Sequence, residues 1–214
     1  MKSPMKKIEK IAKSRFRGSI SCHGWDHVER VRVLAKMIAK KEKADPAIVE
    51  AAALLHDIKR TEEMLGGGKF CHALEGAKEA GKILNGLGFG EGFIKAVKHC
   101  IEAHRYRNNI CPKSPEAKVL SDADKLDALG ATGVGRGFLW CGKHGSRLHN
   151  TDKKDIAANN PHDRNHTLYT EYMVKLRFLK NRMYTKTGRE IARERALFME
   201  KFIKRLDDEI KGKL

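Results

Sequence analysis

Apolar residues return every three or four positions through almost the whole chain, and nowhere do they alternate over a strand-length run. That spacing lines one stripe of a helix and cannot line one face of a sheet. A short first helix is expected around Ile8, Ile11 and Phe16. Val28, Val31, Leu34, Ala35 and Ile38 mark an amphipathic helix from Trp25 to about Lys43. Asp45-Pro46 supplies an N-cap and a proline at the first helical position, opening a helix from Pro46 to about Ile58. Gly66-Gly67-Gly68 then breaks the chain into a loop that ends near His72. Helices follow over roughly Ala73 to Asn85 and about Glu91 to Ala103, and the pattern resumes at Glu116 through Leu129. Two long helices are expected at the end. Leu168, Tyr172, Leu176, Leu179 and Met183 stripe the first; Ala192, Ala196, Met199, Ile203, Leu206 and Ile210 stripe the second. They can pair as an antiparallel hairpin across Thr185-Lys186-Thr187-Gly188. The expected class is all-α.

A chain of 214 residues is expected to form one domain, 1–214, able to bury a core without staples. Its core would span about 20–143, followed by a polar loop at 144–161 and C-terminal helices over about 162–211. No apolar run approaches the roughly 18 residues that a membrane-spanning helix needs, so no membrane partner is expected. The basic start Met1-Lys2-Ser3-Pro4-Met5-Lys6-Lys7 leads into Ile8-Glu9-Lys10-Ile11 rather than an apolar segment, unlike a signal peptide. Five scattered cysteines, odd in number and never spaced C-x-x-C, fit reduced thiols and a cytoplasmic location. The 44 basic residues outnumber 27 acidic ones, for a net charge of +17. Such a field attracts anions, phosphorylated small molecules or nucleic acid. The basic residues form no compact stripe interleaved with aromatics, so charge does not choose between those partners.

His56-Asp57 closes the apolar run Ala51-Ala52-Ala53-Leu54-Leu55. A buried imidazole beside a buried carboxylate is costly unless something satisfies both. A hydrogen-bonded core pair would do so, and so would a divalent metal. His27 upstream and Asp124 downstream, in Ser121-Asp122-Ala123-Asp124-Lys125-Leu126-Asp127, favour the metal. Two imidazoles and two carboxylates suit Mn or Mg as well as Fe, Co, Ni or Zn. Neighbouring helix residues point about 100° apart, so His56 and Asp57 can share an ion only near a helix end.

The ordered set His27, His56-Asp57 and Asp124 resembles the His…His-Asp…Asp signature of the HD superfamily of metal-dependent phosphohydrolases. Cys22-His23-Gly24-Trp25-Asp26-His27, Leu54-Leu55-His56-Asp57-Ile58, His72-Ala73-Leu74-Glu75-Gly76-Ala77 and Asp122 to Gly130 are similar to its small stand-alone branch, as is Met183 to Arg189. Lys59-Arg60 stands where many relatives carry Gly-Arg. The resemblance implies an all-helical HD-domain bundle with a C-terminal helical hairpin and one divalent ion at its centre, manganese first among the candidates. It also implies hydrolysis of a phosphoester or phosphoanhydride by a metal-activated water, with a nucleotide as the small anionic substrate.

Around the metal ligands, Asp57, His72, His104 and Asp127 are the candidates for catalytic chemistry. His72 and His104 would contact phosphate or the attacking water, or hold a second ion as extra histidines do in dinuclear members; Asp127 would orient a ligand. Arg60, Arg105, Arg107, Arg136 and His166 are candidates for gripping substrate, with His162 beside them. Glycines 133, 135 and 137 fit close helix packing as well as they fit a phosphate loop. His23, His99, His144 and His149 read as ordinary core or surface residues. Two alternatives remain open: a basic nucleic-acid-binding helical protein with a structural metal, and a cyclic-nucleotide phosphodiesterase. Self-association also stays open.

Overall fold

In the computed structural model, residues 4–16, 22–105, 109–161 and 163–213 are described, and among them the chain is helical with no strand. His162 and Arg107 lie outside the described residues. The all-α expectation holds. The helices are α1 (Pro4–Arg15), α2 (Trp25–Glu42), α3 (Pro46–Leu55), α4 (Arg60–Leu65), α5 (His72–Gly86), α6 (Glu91–His104), α7 (Pro115–Asp127), α8 (Gly130–Lys143), α9 (Lys153–Ala158), α10 (Leu168–Glu171), α11 (Arg177–Leu179) and α12 (Lys186–Ile210). They fall into two compact units. Unit 1 runs to Asp124 and takes in Tyr184–Gly188; unit 2 comprises Lys125–Met183 and Arg189–Leu214. No helix among the described residues is long and apolar enough to cross a membrane. All five cysteines are free thiols.

The centre of unit 1 is α3, which packs against α1, α2, α5 and α6. Ala51, Ala52, Ala53, Leu54 and Leu55 are fully buried, so the second half of this helix is apolar all round, while Glu50 in its first half pairs with Arg32 and Lys36. Burial of Leu54 and Leu55 contributes about 1.5–3 kcal/mol each. Its start is set by Asp45, whose carboxylate accepts the N–H groups of Ala47 (2.8 Å) and Ile48 (3.2 Å), with Pro46 following. Its end comes at Leu55. His56 caps it, and the chain turns through Asp57, whose carbonyl accepts the Arg60 N–H at 2.8 Å. That turn carries the polar pair off the helix axis. The short helix α4 that follows ends at Leu65, just before the glycine run Gly66-Gly67-Gly68.

A second polar feature of unit 1 ties distant segments together. The carboxylate of Asp122, fully buried on α7, accepts the Tyr184 N–H (2.9 Å), the Thr185 N–H (2.7 Å) and the Thr185 hydroxyl (2.7 Å). Thr187 donates its N–H to Glu42 at 2.7 Å. Gly188 is required there: a Cβ would come within 2.4 Å of Asp122 Oδ2.

In unit 2, α12 packs on α8 through a Phe138–Phe202 edge contact and through Met199 over Gly133. A Cβ at Gly133 would lie 2.2 Å from the Ala128 carbonyl oxygen, and one at Gly137 would lie 2.4 Å from Leu168 Cδ1. Close packing therefore accounts for those two glycines. The helix expected over Leu168 to Met183 is interrupted. A π turn, Tyr172–Leu176, separates α10 from α11, and a 3₁₀ turn, Lys180–Arg182, ends the segment. The wider turn rotates later side chains relative to a regular helix. Leu168, Leu176, Leu179 and Met183 are still buried, while Tyr172 of the same stripe is not. The polar 144–161 stretch holds the short helix α9, capped by Asp152.

Candidate metal centre

Helix ends build the centre, and every group in it belongs to unit 1. His27 lies in the first turn of α2 and His23 just before it. His56 and Asp57 follow α3, His72 opens α5, His104 closes α6 and Asp124 lies on α7. His27 and His56 are fully buried, and Asp57, His72 and His104 are nearly so; Asp124 and His23 are partly exposed.

Asp57 divides the cluster with its two oxygens. Oδ2 faces His27 Nε2 (3.6 Å), His56 Nε2 (3.7 Å) and His23 Nδ1 (3.6 Å). Oδ1 faces His72 Nε2 (3.2 Å) and His104 Nε2 (3.6 Å). On the first side, His56 Nε2 lies 3.2 Å from His27 Nε2, which lies 3.5 Å from Asp124 Oδ1. On the second, His72 Nε2 and His104 Nε2 are 3.3 Å apart.

The outer ring nitrogens fix the tautomers. A carbonyl oxygen only accepts, so His56 Nδ1 must donate to Ala53 O (2.8 Å) and His104 Nδ1 to Ile101 O (2.5 Å). His72 Nδ1 lies 2.8 Å from Glu63 Oε2 and 3.3 Å from Arg60 Nη1. The shorter, charge-assisted contact decides, and His72 Nδ1 donates to Glu63. In the neutral rings, the Nε2 lone pairs of His56, His72 and His104 therefore point at carboxylate oxygens and at one another.

Electrostatics reinforce this arrangement. Burial pushes the His56 imidazole down to about 4, so it is neutral at physiological pH. Burial alone would raise the Asp57 carboxyl, but His56, His104, His23 and His72 outweigh it and hold Asp57 well below the usual carboxylate range. For Asp124, His27 above all, with His104 and His56, overcomes burial in the same way. Lone pairs and anions packed this closely repel unless a cation or proton lies among them. Two imidazoles and two carboxylates are the donor set that divalent Mn, Fe, Co, Ni and Zn accept. His27, His56 and Asp124 form one group with ligand atoms within 4.8 Å of one another; Asp57, His72 and His104 form another, and His23, His27 and Asp57 a third. The residues fit a divalent metal.

Three comparisons bear on this geometry. The model of the HD domain matches residues 24–129, which contain the cluster from His27 to Asp124 but not His23. The uncharacterized protein YpgQ of Bacillus subtilis is 36% identical over 197 residues, covering 90% of this chain and 86% of its own. The chain belongs to the HD superfamily. The crystal structure of YpgQ in complex with ADP superposes on this HD protein with a TM-score of 0.76 at 32% identity, covering 97% of this chain and 98% of YpgQ. A predicted HD superfamily hydrolase from an uncultured Thermotogales bacterium gives a TM-score of 0.68 at 30% identity, over 95% and 91% of the two chains. Ribonuclease Y of Borreliella burgdorferi is 32% identical over 56% of this chain but only 22% of its own length.

Of the residues expected at an HD site, His27, His56, Asp57, Asp124, His72 and His104 are brought together. Arg60 and Arg105 lie beside His72 through Glu63: Arg60 Nη1 is 2.5 Å from Glu63 Oε2, and Arg105 Nη1 is 2.8 Å from Oε1. Asp127, Arg136 and His166 belong to unit 2. There Asp127 accepts from Arg136 at 2.9 Å, and His166 lies 3.2 Å from Glu171. Two neighbours were not singled out from sequence. His23 read as ordinary, although it stands four residues before His27. Glu63 lies three residues past Arg60, a spacing that pairs side chains on a helix, but its other partners come from the start of α5 (His72) and from just past α6 (Arg105).

Proposed function

We propose that this HD hydrolase is a metal-dependent phosphohydrolase that cleaves a phosphoester or phosphoanhydride, with a nucleotide as the substrate class. The observation that carries the proposal is the packing of His27, His56 and Asp124 on one side of Asp57 and of His72 and His104 on the other, with the Arg60 and Arg105 guanidinium groups held on Glu63 beside His72. The ADP bound to YpgQ supports the nucleotide.

His27, His56, Asp57 and Asp124 would hold one divalent ion, manganese first. When bound there, the ion supplies Lewis acidity and makes a water nucleophilic at neutral pH. Asp57 and Asp124 stay ionised and His56 stays neutral at physiological pH, the protonation states that ligation requires. His72 and His104 would hold or pass a proton at Nε2, with Asp57 Oδ1 at 3.2 and 3.6 Å as the acceptor. Arg60 and Arg105 would meet the phosphate oxygens and stabilise the negative charge that develops on them. Asp127, Arg136 and His166 each have an ion-pair partner within unit 2.

Cleavage of a phosphodiester, in RNA or a cyclic nucleotide, is the second reading. One observation favours it: Asp57 Oδ1, His72 and His104 make a ligand set of their own, and two ions can clamp both oxygens of an in-line displacement. A screen decides. Nucleoside mono-, di- and triphosphates, cyclic nucleotides and an RNA oligonucleotide are offered with Mn, Mg, Co and Ni, beside the variant Asp124→Ala. Turnover of a nucleotide by the wild type and none by the variant supports the proposal. Absence of turnover on every phosphate compound, with RNA binding that persists in Asp124→Ala, would overturn it in favour of a nucleic-acid-binding protein.

A further inference from the structure

We propose that Glu63 is a positioning residue of this site, orienting His72 and holding Arg60 and Arg105 as a paired phosphate grip. The inference rests on the phosphohydrolase reading for the grip and on geometry alone for His72. Nearly all of Glu63 is buried, and every contact of its carboxylate serves a group at the centre. Oε2 takes the His72 Nδ1 proton at 2.8 Å, and Oε1 lies 3.3 Å from the His72 backbone N–H. The same two oxygens receive Arg60 and Arg105. One carboxylate thus fixes the ring at both its side chain and its backbone, and anchors two cations.

Two consequences follow from that arrangement. With Nδ1–H committed to Glu63, His72 can offer only Nε2 to Asp57 Oδ1 and to chemistry. The alternative tautomer would turn an N–H toward the cluster and take the lone pair away from it. Second, one negative charge faces two guanidinium groups, so the group carries a surplus positive charge beside the acidic centre, as an incoming phosphate requires. Arg60 adds a directional sign. Its Nη1 is engaged by Glu63, while its Nε is buried and meets no hydrogen-bond partner among the described residues. A buried donor in that state calls for an acceptor, and a phosphate oxygen is one.

The test separates the two duties of Glu63. In the metal-free protein, long-range proton–nitrogen NMR reads the tautomer of each histidine, with His72 assigned by its loss in His72→Gln. Wild type and Glu63→Gln, whose amide oxygen still accepts from Nδ1–H, are expected to show His72 as the Nδ1–H form. Glu63→Leu is expected to shift it toward Nε2–H. In turnover of the phosphate compound found by the screen, Glu63→Leu should lower kcat on the order of 10- to 100-fold, as orienting partners of such histidines do. Glu63→Gln should keep most of kcat and raise KM about tenfold, the equivalent of one charge-assisted contact. An unchanged His72 tautomer in Glu63→Leu, or equal losses of kcat in both variants, overturns the proposal. If the wild type turns over nothing, the phosphohydrolase reading fails while the tautomer still decides the role of Glu63 toward His72.

Discussion

Asp122 and Asp57 are both buried carboxylates of the same unit, and their neighbours have opposite chemistry. Asp122 receives three donors, from the Tyr184 and Thr185 backbone and the Thr185 hydroxyl. Asp57 faces imidazoles, and the ring protons of His56 and His104 are already committed to carbonyl oxygens. Burial of a charge therefore does not by itself mark a site. A carboxylate met by donors is complete and fastens the fold; a carboxylate met by acceptors requires a cation or proton. The contrast assigns Asp122 to stability and Asp57 to chemistry, though both occur as Asp in short polar runs of helical sequence.

Replacement of Asp57 is the strongest way to break the contrast. Asp57→Ala is expected to lower turnover by at least about 10³-fold, roughly 4 kcal/mol of transition-state stabilisation. Its helical circular dichroism should stay native, because Asp57 follows the end of α3 rather than standing within it. Turnover within tenfold of wild type would remove Asp57 from the chemistry.

Asp122→Ala should do the reverse. It strands the N–H groups of Tyr184 and Thr185 and the buried Thr185 hydroxyl, and is expected to cost about 3 kcal/mol of stability in urea denaturation. Gly188→Ala, which drives a Cβ against the same carboxylate, should cost about 2 kcal/mol. A loss under 0.5 kcal/mol in Asp122→Ala would show that the turn at Tyr184–Gly188 is held by something else.

The same pair of residues shows what could be read in advance. His27, His56, Asp57, Asp124, His72 and His104 were legible because helix ends carry them in recognisable local settings, and the helices themselves announce their period. Asp122 was quoted only as part of the Asp124 motif. Its partners lie 62 and 63 positions away, and no local pattern reports a contact at that distance. Glu63 hid for a similar reason: it looks like one more acid after Arg60 until α5 and α6 bring His72 and Arg105 to it. The π turn at Tyr172–Leu176 carries no marker either, since its apolar spacing is that of a regular helix.

Metal should sharpen the difference between the two carboxylates further. Manganese at a hundred times its dissociation constant is expected to stabilise the wild type by about 2.7 kcal/mol and raise Tm accordingly. A chelator should reverse the rise. Asp57→Ala should show none of it, whereas Gly188→Ala, lower in Tm throughout, should show the full increment. Equal increments in wild type and Asp57→Ala would place the ion elsewhere.

The smallest expected effect tests whether the donor rule extends to unit 2. Glu171 accepts from Lys175 at 2.6 Å and lies 3.2 Å from His166 Nε2, so it is donor-met like Asp122 rather than acceptor-met like Asp57. Burial would raise its carboxyl, but His166 and Lys175 outweigh burial and hold it at about 2. A carboxyl whose folded pKa is depressed adds stability that is complete above its ordinary value of 4.5 and disappears as pH falls through about 2. Glu171 is partly exposed, so solvent reduces the gain to roughly 1 kcal/mol. Glu171→Gln should therefore be less stable than wild type by about that amount at pH 7, with the gap narrowing when both are measured at pH 3. A gap that stays constant across that window would mean the carboxylate contributes shape rather than charge, and donor-met carboxylates would then divide into two kinds.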